Sequence, residues 1–207
     1  MSQFFEVHPE TPQPRLIRQA VKIVREGGVI VYPTDSTFAL GCGMGEKQAL
    51  DRIREIRRLG SEHNFTLACR DLSEIGTYAR VENSAYRLLK AFTPGPYTFV
   101  LRATGEVPRR LQHPKRKTIG IRVPGHPVAR ALLEALGEPL MSTSLLLPDQ
   151  ELPFTDAHSV REAIGRQVDL IIDAGPCGME PSTVVALYDE VPVMLRRGKG
   201  DVSVFET

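Results

Sequence analysis

Helical segments alternate along this chain with short apolar runs, and that alternation limits the fold more than any other feature. In residues 14–26, PRLIRQAVKIVRE, the residues Leu16, Ile17, Ala20, Val21, Ile23 and Val24 share one helical face, and Gly27-Gly28 stops the helix. GVIVYPT then reads as a buried strand ending at Pro33. Residues 46–59 are helical again, with Leu50, Ile53 and Ile56 at three-residue steps. Strands are predicted at 65–69, 97–103 (YTFVLRA), 118–123 and 140–144 (LMSTS), with PGP at 94–96 as a turn and 145–155 as a loop. Helices are predicted at 83–92 with Asn83 as N-cap, at 126–136 with Gly137 as its cap, and at 156–164. VDLIID is a further strand, and STVVALY and VPVMLRRG form a final pair joined through Asp189-Glu190. This order, without a fixed repeat period, predicts an α/β sheet with helices on its faces.

The 207 residues suit one domain over 1–207, and no low-complexity linker divides them. The start, MSQFFEVHPE, has no basic region followed by an apolar run, and no uncharged stretch approaches the roughly 20 residues that span a bilayer. The expectation is a cytoplasmic protein without membrane contact. Cys42, Cys69 and Cys177 lie far apart, and the five histidines show no HxxxH spacing. That pattern argues against a disulfide framework or a structural metal, and the thiols read as small buried hydrophobes.

Charge is nearly balanced, with 26 basic and 25 acidic side chains, but it is unevenly placed. PRRLQHPKRKTIGIRVP, residues 108–124, carries Arg109, Arg110, Lys115, Arg116, Lys117 and Arg122 and no acid, so the rest of the chain is net negative. Three readings fit the outer cations: a solvated loop, a nucleic-acid surface, or the wall of a small-molecule phosphate site. Arg122 stands apart. Inside TIGIRVP it is expected partly buried, and a buried guanidinium needs an anionic partner, either an internal acid or a ligand.

GCGMGEK at 41–47 resembles a nucleotide loop but fails as one. Gly and Lys are not adjacent, Gln48 replaces the magnesium-binding hydroxyl, and Glu46 replaces the third glycine of a dinucleotide fingerprint. The stretch is read as a flexible turn into a helix. Small hydroxyls fall at predicted strand ends: Thr34, Ser142-Thr143-Ser144 and Ser182-Thr183. Strand ends of α/β sheets line ligand crevices, and hydroxyls there can donate to a carboxylate or phosphate. With Arg122 and Arg196 on separate strands, these clusters predict an anion site.

Taken in order, VIVYPTDSTFALGCG, TPGPYTFVLRA, TIGIRVPGHP, PLMSTS, PSTVVAL and LRRGKG resemble the threonylcarbamoyl-AMP synthases, the YrdC-like proteins, and most closely their YciO branch. The resemblance runs from about Pro14 to Gly200. It implies a twisted, open, mostly mixed sheet flanked by helices, with a large basic concave cleft. It implies condensation of L-threonine, bicarbonate and ATP, with Mg2+ in the substrate complex, to threonylcarbamoyl-AMP and pyrophosphate for t6A modification of tRNA. Thr34, Arg122, Ser142 and Ser182 fall where the family holds threonine; Arg57, Thr118, Ser144 and Arg196 fall where it holds ATP. No protein nucleophile is assigned. Arg109, Arg110, Lys115, Arg116 and Lys117 remain as an outer rim for phosphate-rich partners, with double-stranded RNA or tRNA the alternative ligand.

Two departures qualify the carry-over. The family's KxR motif reads Arg57-Arg58-Leu59 here, and its SxN motif reads Ser144-Leu145-Leu146. Arg58 does not replace the missing cation, because adjacent helical residues point about 100° apart. Loss of charge-assisted contacts, each worth roughly 1.5–3 kcal/mol, would lower binding or rate by about one to four orders of magnitude.

Overall fold

The computed structural model describes residues 1–60 and 62–205. Ten strands form a continuous path in the order β1-β9-β2-β3-β8-β4-β7-β6-β10-β11, and β5 pairs with β6 beside it. The sheet is open, with β1 and β11 as its edges, and it is mixed: β4/β7 and β6/β10 are parallel, whereas β3/β8, β4/β8, β6/β7 and β10/β11 are antiparallel. The strands that position the site are β3 (Ala39–Gly43), β4 (Thr66–Ala68), β6 (Tyr97–Ala103), β7 (Thr118–Arg122), β8 (Leu140–Ser144), β10 (Thr183–Ala186) and β11 (Val193–Arg196). The others are β1 (Gln3–Glu6), β2 (Ile30–Tyr32), β5 (Ala79–Arg80) and β9 (Leu170–Asp173). No helix among the described residues is long and apolar enough to cross a membrane.

The alternation of side chains along each strand explains where the helices go. Leu40 and Cys42 of β3, Leu67 of β4, Phe99 and Leu101 of β6, Ile119 and Ile121 of β7, Met141 of β8 and Val185 of β10 share one apolar cluster. Ala49, Leu50, Ile53 and Ile56 of α2 (Lys47–Arg57), Ile75 of α3 (Leu72–Tyr78), Ala85 and Leu89 of α4 (Asn83–Phe92), and Ala157, Val160 and Ile164 of α6 (Ala157–Ile164) close it. A second cluster joins Ile17, Ala20, Val21 and Val24 of α1 (Pro14–Arg25) to Val128, Ala129, Leu132, Leu133 and Leu136 of α5 (Pro127–Leu136). Burying each leucine contributes about 1.5–3 kcal/mol. This second cluster covers Ile30, Tyr32, Ala39, Ala68, Leu140, Leu170 and Ile172, but it includes no residue of β6, β7, β10 or β11. That half of the sheet face carries Thr98, Gly120, Arg122 and Val184 instead.

Local signals behave as their chemistry requires, with three corrections. Helix α1 ends before Gly27, whose φ is +82°, and α5 ends on Gly137, whose φ is +74°. The stretch Gly41–Gly43 is not a turn: it is the second half of β3, paired with β8, and only Met44–Glu46 lead into α2. Glycine is needed at 41 because a Cβ there would lie 2.6 Å from Leu140 Cδ2 and 3.0 Å from Tyr32 Cε1. Asn83 does not cap α4. Glu82 occupies that place, without a side-chain cap bond, and Asn83 is the first helical residue. Helix α3, absent from the sequence reading, is capped by Asp71, which accepts hydrogen bonds from the Ser73 and Glu74 amides.

Candidate functional site

The sheet face that the helices leave bare forms the floor of a cavity of about 240 Å³. Strand pairing lays a row of small side chains across it. Ser142 faces Thr66, Thr66 faces Gly120, and Gly120 faces Val100. The floor is deep at Gly120 because a Cβ there would come within 2.7 Å of Thr66 Oγ1 and 3.1 Å of the Phe65 carbonyl. Thr98, Ser182 and Val184 extend the floor toward β11, and His63 and Asn64 form a wall in the segment before β4.

Arg122 and Arg196 both line this cavity, from β7 and from β11. The Arg122 side chain is almost wholly buried, and its Nη2 donates to the Asp35 carboxylate and to Thr34 Oγ1, the latter at 3.4 Å. Its Nε is buried and has no hydrogen-bond partner among the described residues. Asp35 is held in turn by the Gly125 amide at 2.8 Å. The internal acid that the burial of Arg122 demanded is therefore Asp35, which the sequence reading missed. Arg196 donates from Nε and Nη2 to the Ser182 carbonyl at 3.1 and 2.8 Å, and from Nη2 to Ser182 Oγ at 3.2 Å. Burial, and then the Arg122 charge, pull its pKa below the ordinary guanidinium value.

A third guanidinium reaches the same region. Arg57, in the last turn of α2, donates to the Ser144 carbonyl and lies 3.5 Å from Thr143 Oγ1. Its Nε is buried without a partner among the described residues, and burial followed by the Arg196 charge lowers its pKa. His63 lies between these groups. Its Nε2 is 3.3 Å from Thr143 Oγ1, and its ring meets Phe65 edge-on with centroids 5.1 Å apart. Burial, then the charges of Arg57, Arg54 and Arg196, push its pKa down to about 4, so the imidazole is neutral at pH 7.

The hydroxyls divide into those facing the cavity and those that order its margin. Ser142 and Ser182 line it, with Ser142 Oγ 2.6 Å from the Tyr32 hydroxyl and Ser182 Oγ 2.8 Å from Thr98 Oγ1. Thr143 and Ser144 line it as well. Thr34 stands at the margin: its Oγ1 donates to the Thr37 carbonyl at 2.6 Å and accepts from the Ser36 amide, ordering the turn that holds Asp35. Thr118, at the other end of β7, is buried with its hydroxyl unpartnered among the described residues and does not line the cavity.

The outer cations are exposed and mostly engaged by their own surroundings. Arg110 donates to the Met44 and Gly45 carbonyls, Lys115 pairs with Glu62 at 2.8 Å, and Lys117 Nζ donates to the Pro114 carbonyl. Arg116 lies over the Tyr188 ring at 5.9 Å. None of Arg109, Arg110, Lys115, Arg116 and Lys117 lines the cavity. At the two motif departures, Leu59 packs against the apolar cluster under α2, and Leu146 is half-buried.

An open mixed sheet with helices on its faces, and a cavity on its bare part lined by hydroxyls, Arg122 and Arg196, defines the class of α/β protein to which the chain belongs. The Sua5/YciO/YrdC family model, described as "Telomere recombination", matches residues 22–198, and the chain belongs to that family. It is 59% identical to the Escherichia coli protein YciO over 99% of this chain and all of that one, and the crystal structure of E. coli YciO superimposes with a TM-score of 0.96. It is 35% identical to the threonylcarbamoyl-AMP synthase of Nitrosococcus oceani, over 75% of this chain and 84% of that protein. P. abyssi Sua5, crystallised with L-threonine, superimposes with a TM-score of 0.88 at 29% identity, covering 95% of this chain and 58% of the Sua5 chain.

Proposed function

We propose that the protein is an ATP-dependent L-threonylcarbamoyladenylate synthase, weakened or altered in substrate by Leu59 and Leu146. The observation that carries this reading is that Arg122 and Arg196 line one small cavity, with Arg57 behind its Thr143–Ser144 wall and Asp35 as the carboxylate bound to Arg122. Such a site is matched to a ligand with several negative charges. The relatives named above as a threonylcarbamoyl-AMP synthase and as a threonine complex supply the substrate class.

The chemistry needs positioning rather than a protein nucleophile. Threonine's neutral amino group would bond to the carbon of bicarbonate, a C–O bond of bicarbonate would break, and water would leave with a proton from the nitrogen, giving the N-carboxylate (carbamate). A carbamate oxygen then attacks the α-phosphorus of MgATP, the bond to the β-phosphate oxygen breaks, and pyrophosphate leaves. Arg122 is suited to the amino acid carboxylate, which would satisfy its free Nε, while Ser142 and Ser182 would bound the side chain. Arg57, Ser144 and Arg196 would stabilise charge growing on the departing phosphates. Thr34 would serve the first group through the Asp35 turn, whereas nothing supports the ATP role for Thr118, which is buried away from the cavity.

Purified protein incubated with ATP, Mg2+, bicarbonate and each amino acid tests the reading. Pyrophosphate release that requires both threonine and bicarbonate is the expected result. Its absence, together with double-stranded RNA affinity that falls steeply with salt, would replace the synthase by an RNA-binding module acting through Arg109, Arg110, Lys115, Arg116 and Lys117.

A further inference from the structure

Among the described residues that line the cavity, His63 is the one titratable side chain that the synthase chemistry above does not use. It shares the cavity with Arg196, Ser144 and Ser182 and approaches Thr143. The charged groups acting on it are Arg57 and Arg54 from α2 and Arg196 from β11. No carboxylate is among them, and the neighbouring acid Glu62 is paired outward with Lys115. Arg54 itself stacks on Phe65, the ring that His63 meets edge-on.

We propose that His63 is an anion-linked proton acceptor: it is neutral when only the protein's own cations face it, and takes up a proton when a phosphate-class anion binds beside Arg57 and Arg196. The proposal rests on the anion-binding reading of the cavity and adds a ligand-coupled charge to it. The physical reason is local. Burial is the larger cause that disfavours the imidazolium, and the charges of Arg57, Arg54 and Arg196 add to it. Two negative charges placed beside Arg57 and Arg196 offset the cationic part and give the buried imidazolium an anionic partner. A protonated ring can in turn donate to the anion and keep its contact with Thr143.

Linkage fixes the sign. The protonated protein binds the anion more tightly, so affinity rises as pH falls through the raised pKa of the complex toward about 4, and levels off below that value. During turnover the imidazolium would add one positive charge where pyrophosphate departs.

Sulfate is the probe, because it stays almost wholly doubly charged from pH 3 to 8 and so adds no proton of its own. The histidine ring resonances of the full chain are followed by NMR from pH 3 to 8, in saturating sulfate and in chloride of matched ionic strength. His63→Gln identifies the His63 signal, and His63→Asn serves if the first variant does not fold. In sulfate the His63 midpoint should rise by at least one pH unit above its value in chloride, with tenfold tighter sulfate binding in the acidic limit. An equal midpoint in both salts, a shift at other histidines alone, or no sulfate binding overturns the proposal. The readout is independent of turnover. Pyrophosphate release without a His63 shift would sink this inference alone, and a His63 shift without release would sink only the synthase.

Discussion

Arg122 and Asp35 form an ion pair at the margin of the cavity, their side chains 10% and 19% exposed. The pair joins β7 to the turn after β2, and the Gly125 amide locks its far oxygen. Removing Asp35 by Asp35→Ala would leave a guanidinium buried and uncompensated. The expected loss is about 3–5 kcal/mol in urea unfolding. Arg122→Lys keeps the charge but loses the planar fork, and should weaken amino acid binding far more than it lowers stability.

The inner and outer cations should separate by ligand. Arg122→Ala is expected to abolish amino acid binding and to weaken any RNA binding only modestly. Arg109→Ala combined with Arg110→Ala should do the reverse. Calorimetry with threonine and a salt-series RNA titration read both, and equal loss of the two ligands in either variant contradicts the division.

Gly198 is constrained by backbone rather than by side chains. A Cβ there would collide with the Pro181 carbonyl oxygen and lie 2.6 Å from the Ser182 carbonyl carbon. Gly198→Ala therefore forces apart the segments bearing Ser182 and Arg196. It should cost about 2–3 kcal/mol in thermal unfolding and also abolish ligand binding. Gly120→Ala meets the Thr66 hydroxyl at 2.7 Å, which can rotate, and the Phe65 carbonyl oxygen at 3.1 Å and Thr66 Cα at 3.3 Å, which must shift by a few tenths of an ångström; it should cost less than Gly198→Ala while making the cavity shallower.

Leu59→Arg tests the first motif departure. Leu59 is partly buried against the apolar cluster, so the substitution should lower stability by about 1–2 kcal/mol. If the missing cation limits turnover, pyrophosphate release should increase at least tenfold, as one charge-assisted contact of about 1.5–3 kcal/mol predicts. Unchanged release in a folded variant would assign the deficit to Leu146 or to a different substrate.

The three cysteines should be inert in the native protein. Burial pushes the Cys42 thiol to about 12 and Cys177 to about 11, and raises Cys69 as well. Iodoacetamide at pH 8 should label none of them in native protein within minutes and all of them in urea, as mass spectrometry would show.

Much of this architecture is legible in the chain, and the misses have physical causes. Helices α1, α5 and α6 declare themselves because apolar residues recur at helical spacing and their ends carry Gly27, Gly137 or Asp156; α2 does so through Leu50, Ile53 and Ile56 alone, its ends being Glu46 and Arg58. Strand β3 is hidden by Gly41 and Gly43, although Phe38, Leu40 and Cys42 keep the period of two that marks it. Strand β1 has four residues and owes its form to pairing with β9, which no local pattern announces. Helix α3 is short, and its signal was the capping sequence Asp71-Leu72-Ser73-Glu74. At the site, Thr34, Ser142, Ser182, Arg122 and Arg196 are visible as strand-end polar residues. Asp35 was equally visible beside Thr34. His63, Asn64, Thr66 and Thr98 were not, because their convergence depends on strand register across chain separations that carry no spacing code.

Strands β10 and β11 follow every other strand in the chain, yet they supply Ser182 and Arg196 to the cavity. On the ribosome, β4, β6, β7 and β8 can pair while the segment that completes this wall is still being translated. Until it docks, the inner edge of β6 lies open and the nascent cavity lacks one of its guanidinium groups. The cavity is therefore complete only when the last strand pair has docked, and any ligand that touched both Arg122 and Arg196 would tie that pair to the earlier strands.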